Sequence, residues 1–416
     1  MSRIIYICLL LGSLFSSPSI ANTILVSPGN NKPLSAAIRK ALPGDTIIVA
    51  AGNYKEGTLA VNKSITLIGK NKPELDGEYK YEIMIITSDH VTIDGFVFAN
   101  SGSSSYEDIA ALRIMQKGYI TIRNNSFVRN FFGIYCQNAY SCTISNNQFQ
   151  SYAKNEISSA NGIHCWKSEK MLIANNDISG HRDGIYFEFV TKSTIKGNKS
   201  YRNARYGLHF MFSHDNAFIQ NEFTDNGAGV AVMYSHGVSM IRNLFAENWG
   251  AAAYGILMKD ITDSRVESNR FQRNTSAIHM EGSNRIQITG NLFTGNGWAI
   301  QIQSSCTDDT IKGNNFINNS FDIATNGTLQ LNLFTGNYWD KYEGYDLNRN
   351  GTGDIPYRPV SMYSMIVERN PASMILFRSF MTTLMDKAEK VIPSFTPEQL
   401  KDESPSIHSL TLNTYK

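Results

Sequence analysis

Two methionines and two histidines recur at one spacing and offer ligands for a soft metal ion. Met211 and Met233 are 22 residues apart, and so are His214 and His236. If the chain repeats with this period, Met stacks on Met and His on His, and His209 lies on the same outward face beside Met211. Thioether and imidazole groups suit Cu(I). These five residues are therefore a predicted copper site, and the alternative is a Met pair packed under a loop with His residues in turns.

A second stretch has the alternating oxygen groups of a calcium-binding loop. It surrounds Gly351, which would allow the sharp turn that such loops need. Its candidate ligands are Asp346, Asn348, Asn350 and Asp354. The closing Glu of an EF-hand is missing, and Asp354 would replace it. Calcium is one interpretation, and a network of Asx turns without an ion is the other.

A repeat of about 22 residues must position these groups. The phrase apolar-x-x-Asn-x-aromatic returns through the middle of the chain. Its Asn residues are Asn125, Asn147, Asn176, Asn198, Asn221, Asn243, Asn269, Asn291, Asn314 and Asn337. Such a period is typical of a solenoid in which each coil buries its apolar face against its neighbours. We expect the Asn side chains to form an amide ladder between coils, with Asn in the left-handed conformation.

Each coil also carries a strand pattern. Some eight residues after the Asn, Gly or Ala precedes alternating apolar residues, as in the stretch from Gly207 to Phe210. Alternation puts one set of side chains inside and the other outside, and the Gly is expected to turn a corner at positive φ. The pattern predicts an all-β, right-handed, single-stranded parallel β-helix like that of pectate lyases. A leucine-rich repeat is the rival, but its Leu-x-x-Leu-x-Leu pattern is absent.

The ends of the chain differ from the repeat. Arg3, an apolar run and a small-residue end at Ala21 predict a cleaved secretory signal over residues 1–21. The β-helix is expected over residues 22–360, with a capping helix at residues 34–42. Residues 361–416 are expected to form a short helical extension for docking, with a mobile polar tail from Asp402.

The helical extension is rich in apolar residues. Those predicted to bind a partner are Met374, Phe377, Phe380, Met381 and Met385. Met-rich surfaces adapt to partner grooves, and the segment is too interrupted to span a membrane. The alternative is that it packs back and caps the last coil.

Charge and cysteine usage narrow the functions further. Lys and Arg number 38 against 36 Asp and Glu, a net charge of +2, which gives no basis for nucleic-acid binding. Cys136 and Cys165 fall in one inward column of consecutive coils, about 4.8 Å apart, which is within disulfide reach. They are either bridged or two small core thiols.

A carbohydrate-active enzyme is the competing function. Such enzymes need carboxylates on adjacent coils. The outward column reads Trp166, Glu188, Met211, Met233, Lys259, Glu281 and Gln303, with no two carboxylates adjacent. His164 and His279 occupy the position of His209 in other coils and are expected to be surface polar groups, with a docking role as the alternative. The sequence therefore argues against an active site.

The end of the repeat resembles a known family. The stretch Gly-Asn-Tyr-Trp-Asp at residues 336–340, and residues 346–359 ending in Asp-Ile-Pro-Tyr-Arg-Pro, are similar to the end of the β-helix in the NosD family of periplasmic nitrous oxide reductase maturation proteins. The opening Pro-Gly-Asp-Thr-Ile at residues 43–47 is similar too, although pectate-lyase-like β-helices share it. The resemblance implies a periplasmic, non-catalytic role in building a copper–sulfide centre. It also implies three partners: a membrane ABC transporter permease, nitrous oxide reductase and a copper chaperone.

Overall fold

A computed structural model describes residues 21–104, 106–152, 159–327, 331–377, 379–391, 396–397 and 399–415. Over these residues the chain winds into a parallel solenoid with three sheets, which we call A, B and C, and every strand pairing within them is parallel. This confirms the predicted parallel β-helix. The predicted signal peptide, apart from Ala21, lies outside the described residues.

A complete coil contributes one short strand to each sheet, and the coils at the two ends are incomplete. Sheet A has 14 strands: Thr23–Val26, Thr46–Val49, Thr66–Gly69, Thr92–Asp94, Thr121–Arg123, Thr143–Ser145, Leu172–Ala174, Thr194–Lys196, Ala217–Ile219, Ser239–Ile241, Arg265–Glu267, Gln287–Thr289, Thr307–Lys312 and Leu331–Thr335. Sheet B has 13: Asn53–Tyr54, Glu74–Asp76, Val97–Ala99, Ser126–Val128, Gln148–Gln150, Asp177–Ser179, Lys199–Tyr201, Glu222–Thr224, Leu244–Ala246, Arg270–Gln272, Leu292–Thr294, Asn315–Ile317 and Tyr338–Trp339. Sheet C has 12: Leu59–Val61, Met84–Ile86, Ala110–Met115, Phe132–Gln137, Ile163–Trp166, Asp183–Glu188, Tyr206–Met211, Ala228–Met233, Tyr254–Lys259, Ser276–Glu281, Trp298–Ile302 and Phe321–Thr325.

The predicted Asn ladder runs along the corner between sheets A and B. Asn125 donates both its backbone N–H and its Nδ2 to Oδ1 of Asn147, at 3.0 and 3.1 Å. The same Nδ2 also donates to Ile93 O, on the preceding coil, at 3.1 Å. Every later rung repeats these bonds, down to Asn314 on Asn337. Because each buried amide needs the next coil at a fixed distance, the ladder sets the register of the coils.

The interior is filled by stacked columns of like side chains. Phe271, Phe293 and Phe316 stack with ring centroids 4.8 to 4.9 Å apart, and Trp339 closes the column at 4.1 Å. All are nearly inaccessible to solvent. Burial of one such ring stabilises the fold by about 1.5–3 kcal/mol, so the column is a large share of the core.

Two local expectations were wrong. The ladder Asn residues are not in the left-handed conformation; the residue before each one is, as with Asn124 at φ 57° and Gly197 at φ 66°. Gly207 does not turn at positive φ either. A Cβ there would lie 2.7 Å from Gly229 O on the next coil. Glycine is therefore needed for the close approach of backbones rather than for a bend.

The first coil is capped by α1 (Pro33–Lys40), which overlaps the predicted helix. Its buried Leu34, Ala37 and Ile38 cover the open end of the core. The carboxylate of Glu56 accepts from the backbone N–H groups of Leu34 and Ser35, at 3.0 and 2.7 Å. An anion at this position satisfies unpaired donors and complements the helix dipole.

Three helical elements follow the last coil: α2 (Met362–Arg369), a 3-10 helix (Pro371–Leu376) and α3 (Phe380–Val391). Helix α2 lies against the last strands of sheet C. Its Glu368 accepts from Nε2 of Gln301 and of Gln303, at 2.9 and 3.2 Å. The extension is thereby held to the β-helix.

The tail expected to be mobile instead returns to the solenoid. Asp402 is fully buried, and its carboxylate accepts from the backbone N–H groups of Gly336 and Asn337, from Asn337 Nδ2 and from Trp339 Nε1. Asp402 thus forms the last rung of the Asn ladder. The polar composition suggested mobility because this partner lies 65 residues away in sequence.

Of the two alternatives for the cysteine pair, a disulfide or two free thiols, the structure has the free thiols. Cys136 and Cys165 are paired neighbours in sheet C, and both are buried and unbridged. The hydrogen bond that the Cys136 thiol donates to Cys165, together with burial, raises the pKa of Cys136 well above its usual value. Cys136 therefore stays as a thiol in the core.

We expect Asp402→Ala to lower the free energy of unfolding by at least about 2 kcal/mol, since buried donors on Asn337 and Trp339 lose their acceptor. Asp402→Asn, which keeps one oxygen, should cost less. The measurement is chemical denaturation of the full chain. The control is the exposed neighbour Glu403→Ala, which should change stability by less than about 0.5 kcal/mol. Equal effects of the two alanine variants would contradict the ladder role.

Candidate functional site

The structure stacks the two predicted methionine ligands. Met211 and Met233 are Cα partners on adjacent strands of sheet C, and both half-buried side chains lie on its outer face. Their column neighbours are Glu188 on one side and Lys259 on the other. The arrangement presents two thioethers side by side at the surface, which is a soft donor pair.

The two predicted histidine ligands are also stacked. The rings of His214 and His236 are 4.1 Å apart and nearly parallel, at 10°. The backbone N–H of His236 donates to Nδ1 of His214 at 3.3 Å. The proton of neutral His214 is therefore on Nε2. Burial, followed by the charge of His236, lowers the pKa of His214, which favours the neutral form that binds metals.

A metal bound to His214 would displace this hydrogen bond. A metal at Nδ1 would take the place of the His236 backbone N–H that donates to this atom. A metal at Nε2 would move the ring proton to Nδ1, which could then no longer accept that hydrogen bond. Either way the cost is about 1 kcal/mol. His236 has no such constraint: its side chain is 52% exposed and its Nδ1 lies 3.9 Å from Asp215 Oδ1. His236 is the better histidine ligand of the two.

His209 does not join this group. Its ring is buried between the rings of Tyr186 and Tyr206, at 4.8 and 4.9 Å. Its Nδ1 lies 3.4 Å from Arg205 Nη2 and 3.8 Å from Asp183 Oδ2. Although it points outward from sheet C as predicted, it belongs to a different cluster. Among the described residues, no three His, Cys, Asp or Glu side chains are placed to hold a metal.

That cluster contains a column of rings that runs along the outer face of sheet C. Tyr135, His164, Tyr186 and His209 are successive partners in register, with centroids 4.6 to 4.8 Å apart. We call these four residues the ring column. His164 was expected at the surface, but it is buried. The sequence could not show this, because the cover comes from the rings of Phe132, Tyr135 and Tyr186 on neighbouring coils.

Asp183 anchors the ring column. Arg205 binds it with two hydrogen bonds, Nε to Oδ1 at 2.9 Å and Nη2 to Oδ2 at 2.6 Å. Burial disfavours its charge, but the nearby His209 ring and the hydrogen bonds from Arg205 outweigh this and lower its pKa to about 2. Sequence reasoning missed this pair. The sequence feature that could have revealed the pair is its spacing: two residues of opposite charge lie 22 positions apart, which is the length of one coil.

The predicted partner-binding residues divide into two groups. Phe377 packs inward, 5.5 Å from Phe321 and 6.4 Å from Tyr363 between ring centroids. Phe380 and Met381 are 81% and 60% exposed. Met374 is exposed and Met385 is half-buried. The segment therefore has features of both interpretations. Phe377 packs back on the solenoid, as the capping interpretation requires, and the exposed residues form an apolar surface, as docking requires. Among the described residues, no helix is long and apolar enough to cross a membrane.

In the candidate calcium loop, the side-chain oxygens accept from backbone N–H groups of the same loop. Asp346 binds the N–H groups of Asn350 and Gly351, at 3.1 and 2.8 Å. Asp354 accepts from Leu347 N at 2.6 Å. These hydrogen bonds are the Asx-turn network of the alternative interpretation. Bound calcium stays a prediction.

The buried histidines predict acid sensitivity. Burial, helped by Arg182, lowers the pKa of His164 from 6.5 to about 3. At a pH below 6.5, the pKa of His164 in the unfolded chain, this histidine binds a proton in the unfolded chain but not in the folded chain. The stability contributed by neutral His164 is thus complete above pH 6.5 and lost as the pH falls towards about 3. Burial raises the pKa of Asp309 to about 7, which acts in the opposite direction but is common to wild type and His164 variants.

We therefore expect His164→Phe to flatten the loss of stability between about pH 6.5 and about pH 4.5, by up to about 1.4 kcal/mol per pH unit. Chemical denaturation across this range measures it. The exposed His408→Phe is the control and should keep the wild-type slope. A His164→Phe slope identical to wild type would refute the assignment.

Comparison with known proteins agrees with this structure. Residues 150–344 match the model of the NosD family, described as periplasmic copper-binding protein (NosD). A protein from Pseudomonas aeruginosa named probable ABC transporter binding protein NosD is 26% identical over 376 residues, covering 86% of this chain and 87% of that protein.

Solved structures show the fold alone. A GH87 α-1,3-glucanase catalytic unit from Streptomyces thermodiastaticus is 12% identical with a TM-score of 0.60, covering 78% of this chain and 70% of that chain. The A-module of the mannuronan C-5 epimerase AlgE4 from Azotobacter vinelandii is 16% identical with a TM-score of 0.51, covering 70% and 85%. With the fold shared so widely, the sequence comparisons are the more specific ones: residues 150–344 of this chain are similar to the NosD family, and 86% of the chain aligns with a relative named NosD at 26% identity.

Proposed function

We propose that this protein is a periplasmic accessory protein, not an enzyme, that helps to assemble the copper–sulfide centre of nitrous oxide reductase together with a membrane ABC transporter. The observation that carries the proposal is the exposed apolar surface of the C-terminal helices, defined by Ile375, Phe380, Met381 and Leu384. We call it the helical patch. The name of the Pseudomonas aeruginosa relative, an ABC transporter binding protein, supports the same partner.

The helical patch suits docking because its residues are apolar and lie close to one another in the sequence. The segment that carries them is also attached to the β-helix. Ile375 and Phe380 are 89% and 81% exposed, which is costly in water unless a partner covers them. Behind the patch, Phe377 packs on Phe321 and Glu368 is bonded to Gln301. A partner that binds the patch therefore also holds the β-helix. The occupant we infer is the periplasmic side of the transporter permease.

Copper is the cargo in this proposal, and the stacked Met and His pairs are its holding site. The donors that would hold it are Met211, Met233 and His236, with His214 available once its hydrogen bond is given up. Soft thioethers stabilise Cu(I) while leaving it exchangeable at a half-exposed surface. A copper chaperone would deliver the ion to this site, and nitrous oxide reductase would receive it.

The alternative is a carbohydrate-active enzyme, and the outer face of sheet C lacks a suitable pair of catalytic acid and base for it. Asp183 is locked to Arg205 with a pKa lowered to about 2, so it has no proton to donate as a general acid. His164, with a pKa lowered to about 3, is a very weak base. The half-exposed Glu188 lies between Trp166 and Met211 in its column, without a second carboxylate beside it. This arrangement favours the non-catalytic role.

To test docking, we replace single exposed residues, since deleting residues 364–416 would also remove the ladder rung at Asp402. Phe380→Asp and Met381→Asp should each weaken binding to the purified transporter in nanodiscs by at least about tenfold, about 1.4 kcal/mol. Thermal stability should be unchanged because both side chains face solvent. Leu25→Asp, equally exposed at the opposite end of the solenoid, is the matched control. Wild-type affinity in both patch variants would sink the docking proposal.

To test the copper site, Met211→Leu and Met233→Leu are combined, which keeps the volume and removes the thioethers. Cu(I) affinity, measured by competition with a chelator under reducing conditions, should fall by at least about tenfold. The matched control is the double change Met258→Leu and Met280→Leu, a Met pair stacked in the same sheet but fully buried inside. Equal affinity of both double variants would rule the outer pair out.

The histidines give a second readout. His236→Gln should weaken copper binding more than His214→Gln, because His214 gives up a hydrogen bond to bind and His236 does not. His164→Gln, on the same solenoid but in the ring column, should leave the affinity unchanged. The reverse order for His214 and His236 would exclude the proposed ligand set.

A further inference from the structure

The end of the chain crosses the outer face of sheet B. Leu410 is bonded to the Asn315 side chain in both directions: its N–H donates to Oδ1 at 2.9 Å, and its carbonyl oxygen accepts from Nδ2 at 2.8 Å. Further on, the Tyr415 hydroxyl donates to Oε1 of Glu222, which lies 193 residues earlier in the chain. The chain therefore runs from a late coil back to a much earlier one. We call residues 408–415 the strap.

The strap passes over one column of side chains in sheet B. From Glu222 to Asn315 the column takes four steps between in-register partners, through Leu244, Arg270 and Leu292. All five side chains point outward, because the phenylalanine that follows each of them is buried in the core. Four steps of about 4.8 Å make about 19 Å, and the five residue steps of the extended strap make about 17 Å. The strap therefore runs nearly straight along these five residues, which we call the sheet B column.

The side chains of the strap alternate between two environments. Leu410, Leu412 and Thr414 are half-buried, whereas Thr411 and Asn413 are exposed. This period of two is that of an extended segment with one face against a support. The two leucines of the strap are thus on the face towards a column that itself carries two leucines. Removal of this apolar surface from water favours the closed strap.

The strap is held less firmly than the segment before it. The backbone N–H of Ser406 donates to Asn337 O at 2.8 Å, and that of Ile407 donates to Gly351 O at 3.1 Å. Beyond Ile407, no backbone–backbone hydrogen bond joins the described part of the strap to the β-helix. Its three hydrogen bonds to the column all involve a side chain, and water replaces such bonds at little net cost. The strap can therefore lift while the Asp402 rung stays in place.

We propose that the sheet B column is a docking site for an extended segment of a partner protein, and that the strap covers this site when no partner is bound. The chemistry of the partner segment follows from that of the strap. It has apolar side chains at alternate positions, a backbone N–H and carbonyl for Asn315, and a hydroxyl donor for Glu222. Alternate side chains give such a segment its specificity. The site uses other residues than the copper site and the helical patch, so it is independent of both proposals.

The first test measures whether the strap competes with a peptide. The probe is a fluorescent peptide with the sequence of residues 407–415, and the protein is the full chain. Leu412→Asp puts a charge at the apolar contact and lifts the strap, so this variant should bind the peptide at least about tenfold more tightly than wild type does. Thr411→Asp is the matched control, because its side chain is exposed, and its affinity should equal that of wild type. Fluorescence anisotropy up to about 1 mM protein measures both affinities.

The second test places the peptide on the column. Leu292→Asp, added to Leu412→Asp, should lower the peptide affinity at least about tenfold. Leu172→Asp in the same background is the control, since Leu172 is an exposed leucine on sheet A, and it should leave the affinity unchanged. A peptide with aspartate in place of its second leucine should also bind at least about tenfold more weakly. If the Leu292→Asp chain fails to fold, the altered peptide still decides.

Three results would overturn the proposal. One is that the Leu412→Asp chain does not bind the peptide up to about 1 mM protein. Another is equal affinity for a scrambled peptide of the same composition, which would mean nonspecific binding. The third is a concentration-dependent dimer of the wild-type chain that Leu292→Asp abolishes, because the column would then hold the tail of a second copy rather than a separate partner.

Discussion

The interaction on which this structure depends is the ladder of buried Asn side chains. Each Asn uses its backbone N–H and its Nδ2 on the Oδ1 of the next coil, from Asn125 to Asn337, and Asp402 accepts the last pair. A buried amide without partners is costly, so coils cannot slip against one another. Because the ladder fixes the register of the coils, side chains also stack in the aromatic column of the core and in the outer columns of sheet C.

The functional candidates follow from the same register. Because coils stack in phase, residues one coil apart become neighbours: Met211 and Met233, His214 and His236, Asp183 and Arg205. The outer face of sheet C thus carries two kinds of chemistry. One part is a half-exposed soft donor pair, and the other is the buried ring column with its ion pair. The helical extension adds a third surface at the end of the solenoid, where the proposed partner would dock.

Stability and function meet at the C-terminal end. The tail contributes Asp402 to the ladder, α2 packs on sheet C through Glu368, and α3 forms one wall of a cavity. The same segment exposes Phe380 and Met381. One stretch of chain therefore caps the β-helix, lines a cavity beside the last coil and presents an apolar surface, so changes there act on folding and on partner binding through different residues.

Much of the fold was predictable because it is periodic. The spacing of Asn, the apolar alternation and the terminal helices determined a parallel β-helix, its register and the stacking of Met on Met. These features arise from nearest-neighbour coils, whose spacing in sequence is nearly constant. The apolar helical segment at the end of the chain was equally visible, because its three- and four-residue spacing breaks with the repeat.

The environment of each outward residue was decided only by the tertiary structure. The sequence placed His209 and Met211 on one face, but burial beside Tyr186 and Arg205 separates His209 from the metal candidates. Asp402, outside the repeat, binds partners far away in sequence, at Gly336, Asn337 and Trp339. Periodicity specifies which side a residue faces, whereas the particular side chains of the neighbouring coils, which do not repeat, decide what covers it.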